Sequence, residues 1–217
     1  MRVLMPKRTK KLLLAALLIC AASFTTLLAR RATLPPQRPV PEFRTIGTKA
    51  AEIQIYEYTD FACPACRAAH YKLLEMVKLY NGHVALNFKH FPLEVIHKWS
   101  FTAAAYADCA GEQRKFREYA GLLFENPTAW AKAKQKPAEF ADYGKRLGLD
   151  LAALEACSVR AETIKRVKLD ITEGDLKGVN ATPTFFVNGR RAVGAGQLLD
   201  SAKHFDNIIN RVKNGRK

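Results

Sequence analysis

The fold is decided by the stretch IYEYTDFACPAC at residues 55–66, in which a β-type segment ends at two cysteines that are two residues apart. Isoleucines and tyrosines in partial alternation predict a strand over residues 51–61. Pro64 follows at once, and apolar residues then recur at spacings of three and four, which predicts a helix that ends at Asn81-Gly82. The two cysteines are therefore expected where a strand passes into a helix.

This position predicts a chemical asymmetry between Cys63 and Cys66. Cys63 is expected at the N-cap, where free N–H groups and the helix dipole favour the thiolate and lower the thiol pKa. Cys66 lies on the same helix face, further into the helix, and can close a disulfide with Cys63. Cys63 is then the exposed nucleophile and the sulfur that a substrate thiolate attacks, and Cys66 is the resolving partner.

Two other interpretations of this pair exist. A structural disulfide is disfavoured because structural bridges usually span longer loops. A zinc site would need a second cysteine or histidine pair at ligand spacing, and His70 on the same helix has no evident second partner. We therefore expect no metal and no cofactor, and we keep a non-catalytic metal carrier that uses Cys63, Cys66 and His70 as a remote alternative.

The first 31 residues carry seven of the 35 Lys and Arg residues and no acid, and an uncharged run extends from Leu12 to Ala29. This pattern predicts a signal peptide or a signal-anchor over residues 1–31. Eighteen helical residues span about 27 Å, barely a bilayer core. Cleavage near Ala21-Ala22-Ser23 and a retained anchor at residues 12–29 are both open. Either outcome predicts a periplasmic or extracytoplasmic domain, free or held at the inner membrane.

The remaining charge is moderate, because the formal net charge of +15 falls to +8 without the first 31 residues. Lys and Arg are scattered through helical segments and alternate with acids, whereas nucleic-acid binding needs basic residues grouped on one surface. We therefore expect no nucleic-acid partner.

The rest of the chain divides into four parts. Residues 32–47 are a Pro-rich linker, and residues 48–92 and 178–217 are two halves of one α/β domain. Residues 93–177 are a helical insertion, since the order is strand, helix, strand, helical block, hairpin and helix. Beyond Cys20, four cysteines permit three pairings. The close spacing of the first two favours Cys63–Cys66 and Cys109–Cys157, with two buried free thiols as the alternative for the second pair.

Four segments together resemble the DsbA-like branch of the thioredoxin superfamily: residues 55–66, residues 88–93, residues 181–189 and the helical block between the last two. The resemblance covers about residues 48–212. It implies a thioredoxin-like fold with an all-helical insertion, preceded by the signal or anchor helix, and the activity of a thiol–disulfide oxidoreductase.

The resemblance also implies roles for single residues. Pro183 is expected to be a cis-proline that faces the redox disulfide, and Thr182 is expected to present backbone groups to a substrate. Glu57 matches a buried acid that assists proton transfer at the resolving cysteine, although it could instead be a solvent-facing strand residue. Lys89 is either its partner or faces the other side of the sheet. Cys109 and Cys157 match the second, structural disulfide of some relatives.

The function implied is that of a disulfide oxidase, which transfers its Cys63–Cys66 disulfide to unfolded exported proteins. A membrane redox partner, DsbB-like or quinone-linked, would reoxidise it. The Pro64-Ala65 dipeptide lacks the histidine of the best-known member, so we expect a milder oxidant. Thr182 also occurs in isomerase and reductase relatives, which keeps a periplasmic reductase or isomerase as the alternative.

Overall fold

The core of the molecule is a mixed sheet, with strand order β1-β3-β2-β4-β5 in the described residues. Strands β2 and β3 run parallel, and the other neighbouring pairs run antiparallel. A parallel pair needs a crossover, which is the helix that begins after the cysteine motif. The strands are β1 Thr45–Ile46, β2 Ile53–Thr59, β3 Val84–His90, β4 Thr184–Val187 and β5 Arg190–Val193.

The computed structural model describes residues 16–20, 23 and 36–215. Residues 16–20 are helical. Within these described ranges, no helix has the length and apolar character needed to cross a membrane. The predicted signal or anchor at residues 1–31 falls largely outside the described residues.

The crossover helix α1 spans Pro64–Leu79 and buries one face, which carries Cys66, Ala69, His70, Leu73 and Met76. Its N-cap is Cys63, in an extended backbone conformation, and Pro64 occupies the first turn as the sequence predicts. This local chemistry fixes the point at which the helix begins, directly beyond the carboxyl end of β2.

The helical insertion packs around aromatic residues that are fully buried, among them Trp130 and Phe140. Cys109 and Cys157 form a disulfide that joins its first and fifth helices, with Cα atoms 5.7 Å apart. The insertion consists of α2 Ser100–Glu112, α3 Phe116–Glu125, α4 Pro127–Trp130, α5 Glu139–Arg146, α6 Leu151–Ser158 and α7 Ala161–Leu176.

Two helices follow the hairpin of β4 and β5, where the sequence predicts one. They are α8, Gly194–Ala202, and α9, Phe205–Gly215. Helix α8 contacts α1, and the buried Leu198 and Phe205 belong to the same apolar cluster as Cys66. On the insertion side, α7 approaches the sheet at Gly174, where an added Cβ would lie 2.6 Å from the ring of Phe91.

The linker prediction for residues 32–47 is wrong in its second half. Residues Glu42–Arg44 form a 3₁₀ turn, β1 pairs with β3, and the Arg44 side chain is 1% exposed. Arg44 binds Asp108 on α2 and Asp170 on α7. Because those partners are distant in sequence, local composition does not reveal that this segment belongs to the fold.

Arg44 is part of a buried group of charges that we call the ion cluster. Lys89 on β3 extends it, with its Nζ 3.2 Å from Asp170 Oδ1 and 2.7 Å from Glu173 Oε2. Every member is at least 95% buried, and each charge lies against an opposite one. The ion cluster therefore ties the segment before β1 to the sheet and to the insertion. Its members are Arg44, Lys89, Asp108, Asp170 and Glu173.

Candidate active site

Cys63 is a half-buried free thiol at the N-cap of α1. A hydrogen bond from the Cys66 thiol is the largest of the causes that together lower the pKa of Cys63 from 9.0 to about 5, although partial burial opposes the change. The backbone N–H groups of Cys66 and Ala65 and the side chain of Thr182 contribute further lowering. A helix start beside a second thiol therefore stabilises the Cys63 thiolate.

Cys66 lies one helical turn further and is fully buried. Burial is the largest cause that raises the pKa of Cys66 well above its ordinary value, and the neighbouring Cys63 sulfur and Glu57 carboxylate raise it further. Neither cysteine is bonded in this structure, so it describes the dithiol form. The two sulfurs differ in exposure and in acidity, as the sequence predicts.

The loop before β4 lies opposite Cys63. The peptide bond between Thr182 and Pro183 is cis, and Cys63 Sγ lies 3.5 Å from the Thr182 carbonyl oxygen, to which its thiol donates. The structure therefore brings together Cys63, Cys66, Thr182 and Pro183 from two distant parts of the chain.

Glu57 is completely buried on β2, between Phe88 of β3 and Phe185 of β4 in the strand register. Neither of its carboxylate oxygens has a hydrogen-bond partner among the described residues. Burial raises the pKa of Glu57 from 4.5 to about 8. This carboxyl is thus mainly protonated at neutral pH, and it is close enough to Cys66 to affect the acidity of that thiol.

Lys89 does not pair with Glu57. It is aligned with Tyr58 in the register, one position beyond the Glu57–Phe88 pair, and successive side chains of a strand point to opposite faces. Its partners are the carboxylates of Asp170 and Glu173. No cation offsets the burial of Glu57 in the described part of the chain, which explains the direction of its pKa shift.

His70 is buried on α1, with its ring stacked 4.7 Å from the ring of Phe124. Burial lowers the pKa of His70 from 6.5 to about 4. Over residues 16–20, 23 and 36–215, no three His, Cys, Asp or Glu side chains are grouped as a metal ion would require. His70 therefore packs as a neutral core residue.

Asp60 is a polar residue of the site that its sequence context does not identify. It lies between β2 and α1, is 1% exposed, and donates its backbone N–H to Cys66 Sγ at 3.5 Å. The only signal in the sequence is a carboxylate at the end of a strand of apolar and aromatic residues, three positions before Cys63. That signal is also common in ordinary turns.

Comparison with known proteins agrees with this geometry. The family model described as Thioredoxin matches residues 40–210. The chain is 34% identical over 148 residues to the Na(+)/H(+) antiporter NhaA 3 of Salinispora tropica and 35% identical over 165 residues to the Na(+)/H(+) antiporter NhaA 1 of Mycobacterium sp. (strain KMS). These matches cover 68% and 72% of the chain but only 22% and 25% of the antiporters, so the antiporter name describes those longer proteins.

Solved structures are similar over most of the chain. DsbA2 of Pseudomonas aeruginosa is 26% identical, with a TM-score of 0.61 over 75% of this chain and 94% of that one. α-DsbA1 of Wolbachia pipientis is 19% identical, with a TM-score of 0.70 over 87% and 99%, and it shares the fold. The chain belongs to the thioredoxin family, and it shares its α/β fold, with a helical insertion, with these DsbA structures.

Proposed function

We propose that the protein is a disulfide oxidase that transfers a Cys63–Cys66 disulfide to unfolded exported proteins. The observation that carries this proposal is the opposite shift of the two thiols. The pKa of Cys63 is lowered to about 5, whereas the pKa of Cys66 is raised well above its ordinary value. A stabilised Cys63 thiolate favours the reduced enzyme, which therefore gives its disulfide to substrates.

The reaction begins when a substrate thiolate attacks Cys63 Sγ. The new bond joins Cys63 to the substrate, the Cys63–Cys66 bond breaks, and Cys66 leaves as a thiolate. Protonated Glu57 is the proposed proton donor to this buried thiolate, which its raised pKa supports. A second substrate thiolate then attacks the substrate sulfur of the mixed disulfide and releases Cys63, whose low pKa makes it a good leaving group.

Thr182 and Pro183 are proposed to position the substrate. The Thr182 carbonyl oxygen lies 3.5 Å from Cys63 Sγ, within reach of a polypeptide backbone bound at that sulfur. Pro183 has no N–H, so it offers no competing hydrogen-bond donor beside the sulfurs. Pro64 and Ala65 are proposed to make the enzyme a moderate oxidant, because Ala65 supplies no imidazole to stabilise the thiolate further.

We further propose an extracytoplasmic location. Support comes from the basic, acid-free residues 1–31 and their uncharged run at residues 12–29, which would be a cleaved signal or a retained inner-membrane anchor. We also propose that the α/β domain has two halves, residues 48–92 together with the segment from Glu42 that precedes them and residues 178–217, with residues 93–177 as the insertion between them. A DsbB-like or quinone-linked membrane protein is the proposed electron acceptor that restores the disulfide.

The reduction potential of the Cys63–Cys66 pair, measured against glutathione, tests the oxidase assignment. We expect a value of roughly −120 to −200 mV, and a value near −270 mV would identify a reductase instead. Thiol alkylation in cells supplies the second arm: the oxidase is mostly disulfide, and a reductase is mostly dithiol. An isomerase would also be mostly dithiol and would correct scrambled disulfides.

A pair of cysteine variants tests the site itself. Cys63→Ser is expected to abolish disulfide transfer to a reduced peptide, because the attacked sulfur is gone. The control replaces both Cys109 and Cys157 with Ala, which removes the disulfide of the insertion and should leave transfer intact in the folded protein. Transfer that survives in Cys63→Ser would refute the proposed role of Cys63.

A further inference from the structure

The backbone of Asp60 contacts both candidate redox cysteines. Its carbonyl oxygen accepts a hydrogen bond from the Cys63 N–H at 3.1 Å, and its own N–H donates to Cys66 Sγ at 3.5 Å. Cys66 is fully buried, so a thiolate that forms on it has little access to water. A backbone N–H aimed at this sulfur is therefore placed where charge develops during the reaction.

The side chain of Asp60 holds this backbone in place with four hydrogen bonds. Oδ1 accepts from the Ala62 N–H at 2.8 Å and from the Ser100 hydroxyl at 2.5 Å. Oδ2 accepts from the Leu93 N–H at 2.9 Å and from His97 Nδ1–H at 2.8 Å. An ionised carboxylate only accepts hydrogen bonds, so it matches four donors. These bonds join the loop before Cys63 to residues 93–100, the segment that leads into α2.

We propose that the Asp60 N–H is a catalytic group that stabilises the Cys66 thiolate, and that the Asp60 carboxylate is a positioning group that keeps this N–H on the sulfur. The hydrogen bond strengthens when Cys66 becomes an anion, because bonds to charged acceptors are stronger than bonds to neutral ones. It therefore stabilises the transition state more than the oxidised ground state.

The step concerned is the opening of the disulfide. A thiolate attacks Cys63 Sγ, the Cys63–Cys66 bond breaks, and the electron pair of that bond remains on Cys66, which then takes a proton from Glu57. In the reverse step Cys66 returns the proton, attacks Cys63 and expels the bound thiolate. The hydrogen bond from Asp60 favours the anion of Cys66 against the opposing effect of burial on its pKa, so it assists both directions.

The test compares two reactions of the same protein. Attack of dithiothreitol on the oxidised enzyme expels Cys66, whereas alkylation of reduced Cys63 by iodoacetamide does not. In Asp60→Asn we expect the first rate to fall about tenfold and the second to change by less than about twofold, because only the first develops charge on Cys66. Equal slowing of both reactions, or no slowing of either, would overturn the proposal.

Asp170→Asn is the matched control. Asp170 is also a buried carboxylate with several partners, but it binds Arg44 and Lys89 in the ion cluster. This variant should lower the melting temperature and leave both rates within about twofold of the wild type. A tenfold loss of the dithiothreitol rate in Asp170→Asn would show that loss of any buried carboxylate slows the reaction, which contradicts a specific role for Asp60.

If Asp60→Asn does not fold, a pair of milder variants, each lacking one hydroxyl, tests the proposed role of Asp60. Ser100→Ala removes one of the four donors to Asp60, and Ser158→Ala removes one comparable hydroxyl bond, to the Glu155 carbonyl oxygen. Only Ser100→Ala should slow the dithiothreitol reaction, by about threefold; equal effects of both variants would refute the proposal. The inference rests on the proposed roles of Cys63 and Cys66. If Cys63→Ser retains disulfide exchange, the proposed roles of Cys63 and Cys66 are wrong. If the wild type exchanges disulfides normally and Asp60→Asn reacts with dithiothreitol at the same rate, only the inference about Asp60 is wrong.

Discussion

The candidate site and the ion cluster bury charged groups in opposite ways. At the site, both carboxylate oxygens of Glu57 lack a hydrogen-bond partner among the described residues, and burial raises the pKa of Glu57 to about 8. In the ion cluster, Arg44 forms ion pairs with Asp108 and Asp170, so opposite charges offset the unfavourable free energy of burying each group. Burial alone would raise the pKa of Asp108, but the charges and hydrogen bonds of Arg44 and His90 together hold it well below its ordinary value.

The two regions use buried charged groups differently: the ion cluster holds parts of the fold together, whereas Glu57 can gain or lose a proton. A buried ion pair with good geometry keeps its protonation state and fixes the position of the elements that carry it. A buried acid without a counterion changes its protonation near neutral pH, which proton transfer requires. The two regions meet at adjacent positions of β3, whose side chains point to opposite faces of the sheet. Phe88 is aligned with Glu57, and the next residue, Lys89, belongs to the ion cluster.

The largest expected effect comes from breaking the ion cluster. Arg44→Met leaves Asp108 and Asp170 buried without this cation, so we expect the free energy of unfolding to fall by about 3–5 kcal/mol. Urea denaturation measures the loss. The alkylation rate of Cys63 in the folded variant should stay as in the wild type. A loss below about 1 kcal/mol would show that the pairing is not needed for stability.

The second effect concerns the unpaired acid. Glu57 has a folded pKa of about 8, above its ordinary 4.5, so its contribution to stability is complete below pH 4.5 and is lost as pH rises through 8. Glu57→Gln removes the ionisation and should be more stable than the wild type at pH 8, by about 4 kcal/mol. It should also slow disulfide opening, since no proton donor remains beside Cys66.

Urea midpoints of the wild type and Glu57→Gln, taken between pH 4 and pH 8, measure this effect. Glu118→Gln is the control, because Glu118 lies on the surface beside Lys115. Parallel pH profiles for the wild type and Glu57→Gln would contradict the raised pKa of Glu57.

The smallest effect concerns the neutral histidine of α1. The folded pKa of His70 is about 4, below its ordinary 6.5, so stability is complete above pH 6.5 and is lost as pH falls through 4. His70→Phe keeps a ring against Phe124 and removes the titration. It should lose about 2–3 kcal/mol less stability than the wild type between pH 7 and pH 4.

Thermal unfolding at both pH values measures the change in His70→Phe. The exposed His204 provides the control, since His204→Phe should follow the wild-type profile. An equally steep acid loss in His70→Phe and the wild type would show that His70 is not buried in its neutral form.

Local chemistry made part of this molecule predictable from sequence. Pro64 after Cys63 marks the helix start, and the two-residue spacing marks the pair, because both features act within one helical turn. The alternation of β2 and β3 leaves the face of Lys89 undecided until the register is known, since a shift of one residue reverses every side chain. Glu57 is therefore identifiable as a candidate but not as an unpaired acid.

Long-range partners explain what the sequence does not reveal. Arg44 lies in a Pro-rich stretch, and its burial depends on Asp108 and Asp170, which are 64 and 126 positions away. Strand β1 has only two residues, too few for any alternation. Three of the four donors to the Asp60 carboxylate lie more than 30 residues later, at Leu93, His97 and Ser100. Only the hydrogen bond from the nearby Ala62 N–H is of the kind that local sequence predicts.

The most direct test of the oxidase account is the titration of Cys63. Thiolate absorbance at 240 nm, or the rate of iodoacetamide alkylation, is followed from pH 3 to pH 10 in the reduced protein, with Cys63→Ser as the blank. We expect a midpoint near pH 5, which corresponds to the lowered pKa of this thiol. A midpoint near pH 9, the value of an ordinary cysteine, would contradict a stabilised thiolate and with it the oxidase assignment.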